Sequence, residues 1–321
     1  MGAAARDTFR RELQSAQLSI EIELYRLDDP AVEDAIKKAL LKTPSLQVSI
    51  YVEGNRHRYG PKARSVAGLA KAGERANRSA RTIAARLMRE FPRASIKVDG
   101  GDSSLVHAKA AVIDGREALV ASANLDRSGI ESPGQICIAD RLQADVQLVS
   151  AAIEGSGAVH HGKDAADPTH GDRIVAGPEP ATRVRIEAML DSRHDMRIAM
   201  EDLSDAEVVQ ELIERNSARG GHHDRIILGD DCRRSGWAAR ELDALRAANV
   251  AVRVVSTGYF HEKYIDTGDT IFVGSHNLTQ NGLDEAREIG ILAPAGDFGS
   301  GGQALRDDFD RRWDSLGPPA S

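Results

Sequence analysis

One pattern that occurs twice constrains this chain more than any other feature. The first copy is His107-Ala108-Lys109, then Asp114, then Ser122-Ala123-Asn124. The second is His261-Glu262-Lys263, then Asp266 and Asp269, then Ser275-His276-Asn277. His and Lys sit two apart in both, as do Ser and Asn, and His to Asn spans 17 residues in one copy and 16 in the other. Residues at i and i+2 of a strand point to the same face. Each copy therefore presents an imidazole, an ammonium, a hydroxyl and a carboxamide toward one pocket. A single His beside a Lys would read as a surface pair. Two copies with matched downstream Ser and Asn do not.

The flanks agree with that geometry. Apolar runs at 110–113 and 118–121 bracket Asp114-Gly115, a strong hairpin signal, and residues 270–274 follow a Thr267-Gly268-Asp269 turn. Upstream, each copy has a strand, a helix and a second strand. In the first these are residues 18–24, a helix carrying Val32, Ala35, Ile36, Ala39 and Leu40, and residues 48–52. In the second they are residues 196–201, a helix carrying Val208, Val209, Leu212 and Ile213, and residues 225–228. This alternation predicts an α/β fold of two similar domains, residues 1–154 and 181–321. The stretch 155–180, rich in Gly, Asp, His and Pro, reads as a linker or surface loop. Leu305, Phe309 and Trp313 repeat every four residues and predict a closing helix on the second sheet. Cys137 reads as core and Cys232 as part of a polar turn. Neither makes a metal cluster or a disulfide framework. His160, His161, His170 and the His222-His223 pair lack carboxylates or cysteines at ligand spacing, so they read as solvated loop.

On these motifs the chain resembles the phospholipase D superfamily, whose signature is H-x-K-x-x-x-x-D followed by a G-S-x-N-like element, twice per active site. The first copy fits, with Ala121 where Gly is usual. The second is irregular: Gly268 stands at the position of the family's Asp, between Asp266 and Asp269. The resemblance implies two phospholipase D-like domains, each a mixed sheet flanked by helices, about a pseudo-two-fold axis. It also implies one shared site, complete in one polypeptide and so possible in a monomer, with no metal or other cofactor required.

It implies a chemistry as well. Lys109, Lys263, Asn124 and Asn277 clamp the non-bridging oxygens of a phosphodiester, and Ser122 and Ser275 support the pocket. Asp114 supports its own motif. One imidazole attacks phosphorus, and the other protonates the leaving oxygen and then activates water. Family members place an acid or amide after the Ser/Asn element to orient the His; here these are Gln135 and Glu288. Pairing each with the His of its own copy makes His261, beside Glu288, the proton donor and His107, beside Gln135, the nucleophile. A similar Gln/Glu asymmetry occurs in tyrosyl-DNA phosphodiesterases, where the N-terminal His is the nucleophile.

Charge distribution bears on the substrate. The first copy is preceded by an insertion of 21 residues relative to the second. Residues 55–98 hold twelve Lys and Arg, among them Arg75, Arg78 and Arg81, against Glu74 and Glu90, in a chain of net charge −7. Such a run often marks only a solvated helical face. Beside a phosphodiester pocket it is expected to steer a polyanion, so DNA or another nucleic acid is the favoured partner. An anionic phospholipid surface is the alternative. A catalytically silent nucleic-acid-binding module is a third possibility, prompted by the irregular second motif. With no apolar run of membrane-spanning length and no apolar signal core near Met1, a cytoplasmic location is expected.

Overall fold

The computed structural model describes residues 2–25, 27–52, 66–99, 105–122, 124, 135–155, 173–217, 219–233, 236–256, 258 and 260–317. After α1 (Gly2–Ser15), the first half runs β1 (Ser19–Leu24), α2 (Pro30–Lys42), β2 (Gln47–Val52), α3 (Val66–Glu90) and β3 (Ser95–Asp99). It continues with β4 (Lys109–Ile113), β5 (Glu117–Ala121), β6 (Cys137–Asp140) and α4 (Gln143–Glu154). The second half opens with β7 (Ile174–Ala176) and α5 (Pro180–Leu190). It then repeats the plan: β8 (Arg197–Met200), α6 (Ala206–Arg215), β9 (Arg225–Gly229), α7 (Gly236–Ala247) and β10 (Ala251–Val255). Last come β11 (Lys263–Asp266), β12 (Thr270–Gly274), β13 (Ile289–Pro294) and α8 (Gly299–Ser315).

The sheets have orders β3-β2-β1-β4-β5-β6 and β10-β9-β8-β11-β12-β13-β7. Three parallel strands join three antiparallel ones in the first sheet and four in the second, and the seam lies where β1 meets β4 and β8 meets β11. Two similar α/β domains thus stand in pseudo-two-fold relation, as expected. One correction concerns 155–180: its described end forms β7, hydrogen-bonded to β13, because Ile174, Val175 and Ala176 are apolar and extend the second sheet by a strand.

Local chemistry repeats with the topology. Asp29 caps α2 by accepting from the Ala31 N–H, with Pro30 in the first turn, and Asp205 caps α6 by accepting from Glu207 and Val208. The outer face of each sheet packs on the helices that precede and cross it. On the inner faces, Ala110, Val112, Ala118 and Val120 meet α4 and the β13 residues Ile289 and Ile291. Tyr264, Ile271 and Val273 meet Leu305 and Phe309 of α8, as the helical spacing predicted. Strands β4 and β5 are therefore buried along their whole length, which explains their unbroken apolar runs. Cys232, expected in a polar turn, is instead fully buried in the second core, because its short 3₁₀ turn folds inward under α7.

Candidate active site

The seam strands carry both motifs to one place. Leu24 of β1 pairs with Lys109, and Met200 of β8 with Lys263, so both His-Lys pairs sit at the carboxyl ends of the parallel strands. Contacts of β5 with β12 and β13 bring those ends together across the domain interface. The imidazoles of His107 and His261 face each other there, ring centroids 6.3 Å apart. Lys109, Lys263, Asn124, Ser122, Ser275, Gln135 and Glu288 are buried around them, and Asn277 is half-buried.

The expected partners of the two imidazoles are exchanged. His107 donates from Nδ1 to Glu288 Oε1 at 2.7 Å, although Glu288 belongs to the second copy. His261 Nδ1 lies 2.8 Å from the carbonyl oxygen of Ser122, which belongs to the first. The backbone explains the crossing. Val106 and Arg287 form a parallel bridge in which the His107 N–H donates to Arg287 O (2.9 Å) and the Arg287 N–H to Leu105 O (2.7 Å). That bridge holds Glu288 beside the other domain's His. Gln135 does not take the place expected for it on His107: neither amide atom has a hydrogen-bond partner among the described residues.

The structure also shows a carboxylate that the motifs did not single out. Glu201, just beyond β8, accepts from Lys263 Nζ at 2.6 Å and from Asn277 Nδ2 at 3.1 Å, and lies 3.1 Å from His261 Nε2. A signal existed: Glu201 directly follows the apolar run Ile198-Ala199-Met200, at the position that Tyr25 holds in the first half. The Tyr25 ring stands 5.8 Å from the His107 ring, so that wall of the pocket is aromatic.

Burial lowers the pKa of His107, with Glu288 opposing and Lys109 adding to the shift. Burial also drives His261 well below its usual range, against the pull of Glu201. Lys263 is lowered by burial and held up by Glu201. Burial alone would raise both carboxyls, yet His261 and Lys263 keep Glu201 far below the usual carboxylate range, and His107 keeps Glu288 low. Around His261, Nδ1 faces the Ser122 carbonyl oxygen and also the Lys263 ammonium at 2.7 Å, while Nε2 faces Glu201, so Glu201 favours the protonated ring and burial and Lys263 oppose it.

The remaining motif residues are structural in their contacts. Ser122 Oγ accepts from the Ile136 N–H, and Ser275 Oγ bonds both the N–H and the carbonyl of Ile289, so each serine pins the next strand. Asp114 accepts from the N–H groups of Gln17, Leu18 and Ser19 at the start of β1. In the second half two residues divide that task. Asp224 takes the Met196 N–H ahead of β8, while the fully buried Asp266 holds the Gly268 N–H and Arg306. Asp269 is exposed beside His194. Asp266 is therefore the carboxylate of the irregular motif. Of the basic insertion, Arg78 and Arg81 are exposed on α3, whereas the Arg75 side chain and residues 55–65 lie outside the described residues. Arg86, from the same run, pairs with Glu33 of α2. Among the His residues read as solvated, His222 lies near Asp195 and Asp224, but the Asp224 oxygens are taken by Arg215 and Asn216. His160, His161 and His170 lie outside the described residues.

The family model described as cardiolipin synthase, PLD-like domain, matches residues 9–154 and 186–313, one match per domain. The chain belongs to this phospholipase D-like family. A comparison with curated proteins returned no match. Among solved structures, phosphatidylserine synthase of Haemophilus influenzae Rd KW20 is similar over 96% of this chain and 84% of its own, at 12% identity and a TM-score of 0.64. Polyphosphate kinase of Porphyromonas gingivalis is similar over 91% of this chain and 46% of its own, at 15% identity and a TM-score of 0.55. The phospholipase D family member Nuc of Salmonella typhimurium covers 46% of this chain with 97% of its own, at 15% identity and a TM-score of 0.40. At these identities the likeness is one of fold. Family membership identifies the chain as an enzyme of the superfamily's phosphodiesterase and phosphotransferase kind.

Proposed function

We propose that the chain hydrolyses phosphodiesters through a covalent phosphohistidine on His107. The contrast between the two imidazoles carries this reading. Glu288 takes the Nδ1 proton of His107, which leaves the Nε2 lone pair to attack phosphorus, and burial favours that neutral form. The Nε2–P bond forms as the bond from phosphorus to the leaving oxygen breaks. His261 supplies the proton to that oxygen, its protonated form held by the Glu201 carboxylate against burial and Lys263. It then takes a proton from water, which attacks phosphorus and releases His107. Lys109, Lys263, Asn124 and Asn277 stabilise the charge on the non-bridging oxygens in both steps.

Nucleic acid is the substrate class that the surface favours. Helix α3 begins at the sheet edge where the site lies. Its 25 residues span about 37 Å, against about 20 Å for the six-residue β2 that it packs on, so its first turns overhang that edge. Arg75, Arg78 and Arg81 recur every three residues in the middle of that helix, and their charges would hold a phosphate backbone without reading bases. The family description favours a second reading, a phospholipid substrate. No described helix is long and apolar enough to cross a membrane. Against that reading, the exposed large apolar side chains among the described residues, Leu18, Leu41, Met88, Leu142, Val184 and Trp237, each lie on a different element or connection.

The deciding experiment incubates the protein in EDTA with labelled single-stranded DNA, duplex DNA, RNA and phosphatidylcholine vesicles in parallel. Cleavage of nucleic acid is expected. Replacing Arg75, Arg78 and Arg81 together by Ala should weaken DNA binding and flatten its salt dependence. Turnover of bis(4-nitrophenyl) phosphate, too short to reach α3, should stay within about twofold. Phospholipid hydrolysis without nuclease activity would replace the first reading by the second.

A further inference from the structure

The second half-site contains its own anion. Glu201 Oε2 contacts Lys263 Nζ, His261 Nε2 and Asn277 Nδ2, three of the groups that a bound phosphoryl group would use. The only other described carboxylate bonded to a catalytic imidazole is Glu288, and it sits behind His107 on Nδ1. Close to the reacting position, among the described residues, the cations Lys109 and Lys263 face the carboxylates Glu201 and Glu288, with Asp202 adding to the field at Lys263, and with neutral imidazoles the charges of the first four cancel. One protonated imidazole leaves a single positive charge, enough to neutralise a singly charged ligand.

We propose that Glu201 is a specificity residue: it sets the pocket to accept the monoanion of a phosphodiester and to reject the dianion of a phosphomonoester or inorganic phosphate. The inference rests on the phosphodiesterase reading above and adds a consequence for turnover. Hydrolysis of the phosphohistidine converts a monoanionic diester into a dianionic monoester inside the pocket. Glu201 repels that product, at short range and away from bulk water, and so promotes its release. At the equivalent position of the first half-site the described residue beside His107 is the uncharged Tyr25. The repulsion is therefore directed at the His261 side, where the leaving group departs and water enters. A purely structural counter-ion for Lys263 would give no preference between the two anions.

The test measures binding of dimethyl phosphate and of inorganic phosphate by calorimetry at pH 8, where the latter is mostly dianionic. The wild type should bind dimethyl phosphate more tightly than inorganic phosphate, the reverse of what charge alone gives a cationic pocket. Glu201→Gln keeps an acceptor for Lys263 and Asn277, and should tighten binding of inorganic phosphate at least about tenfold, and that of dimethyl phosphate by a smaller factor. A wild type that prefers inorganic phosphate overturns the proposal without any variant. So does a folded Glu201→Gln protein with unchanged selectivity, and if that protein's parent still hydrolyses bis(4-nitrophenyl) phosphate, the phosphodiesterase reading stands. A wild type that binds neither anion and cleaves no diester removes both.

Discussion

In the first domain the residue after β1 is Tyr25, and in the second the residue after β8 is Glu201. The strands match in order and register, yet the residue that follows them sets an aromatic ring beside His107 and a carboxylate beside Nε2 of His261. The glycine pattern differs in the same spirit. Gly274 faces Gly290 across β12 and β13, and a Cβ on Gly274 would meet the Gly290 Cα at 2.7 Å. The equivalent pair in the first domain is Ala121 and Cys137, where side chains fit. A duplicated backbone thus supplies two copies of one strand-end geometry, and substitutions around it give the copies different chemistry.

The largest test of that asymmetry is catalytic. His107→Ala should lower diester turnover on the order of 10⁴-fold or more, and His261→Ala on the order of 10²–10⁴-fold. A 4-nitrophenyl leaving group, which needs little protonation, should restore part of the first step in His261→Ala and none in His107→Ala. Stopped-flow release of nitrophenolate checks this, and a burst retained by His107→Ala alone would reverse the roles.

Exchange of the orienting residues is tested next. Glu288→Gln should cost roughly 10–100-fold in turnover, the scale of one charge-assisted hydrogen bond of about 1.5–3 kcal/mol. Gln135→Ala should cost less than about threefold. Steady-state rates with the opposite ranking would undo the crossed arrangement.

The halves should also differ in acid stability. His276 is wholly buried with neither ring nitrogen hydrogen-bonded among the described residues, and burial pushes it from 6.5 down to about 4. The first half has Ala123 at that position. The unfolded chain takes up a proton near pH 6.5 that the folded chain refuses until about pH 4. Stability contributed by the neutral ring is complete above the upper value and falls as pH drops through that window, by about 3 kcal/mol in all. His276→Asn should flatten the fall seen in urea denaturation between pH 7 and 4; an unchanged slope would assign it to other groups.

The smallest effects separate the motif carboxylates. Asp266→Ala strands Arg306 and should destabilise by about 3 kcal/mol, Asp114→Ala by about 1–2 kcal/mol, and Asp269→Ala by no more than about 0.5 kcal/mol. None should abolish the chemistry of the intact fold. Loss of activity in thermally stable Asp269→Ala would restore that residue as the motif Asp.

Much of this was legible in the sequence, because strand period and motif spacing are local. The hairpin at Asp114-Gly115 is a tight turn with both residues at positive φ, as Asp-Gly demands, and the apolar runs around it are β4 and β5. The convergence of His107 and His261 followed from duplication. The partners of those imidazoles did not follow, because they are set by an inter-domain bridge between Val106 and Arg287 that no spacing within one copy records. Glu201 was hidden for a related reason: it meets Lys263 and Asn277 across three strand ends, and only the strand register aligns it with Tyr25. Asp266 could not be distinguished from Asp269 until Arg306, forty residues away, showed which of them is buried.

The most direct test is to trap the covalent intermediate with a labelled diester, quench in base, where a phosphoramidate survives, and map the modified residue by mass spectrometry in the wild type and in His261→Ala. Phosphate on His107 in both proteins is the predicted result. Phosphate on His261, or a label that persists in His107→Ala, would contradict the division of roles between the two half-sites.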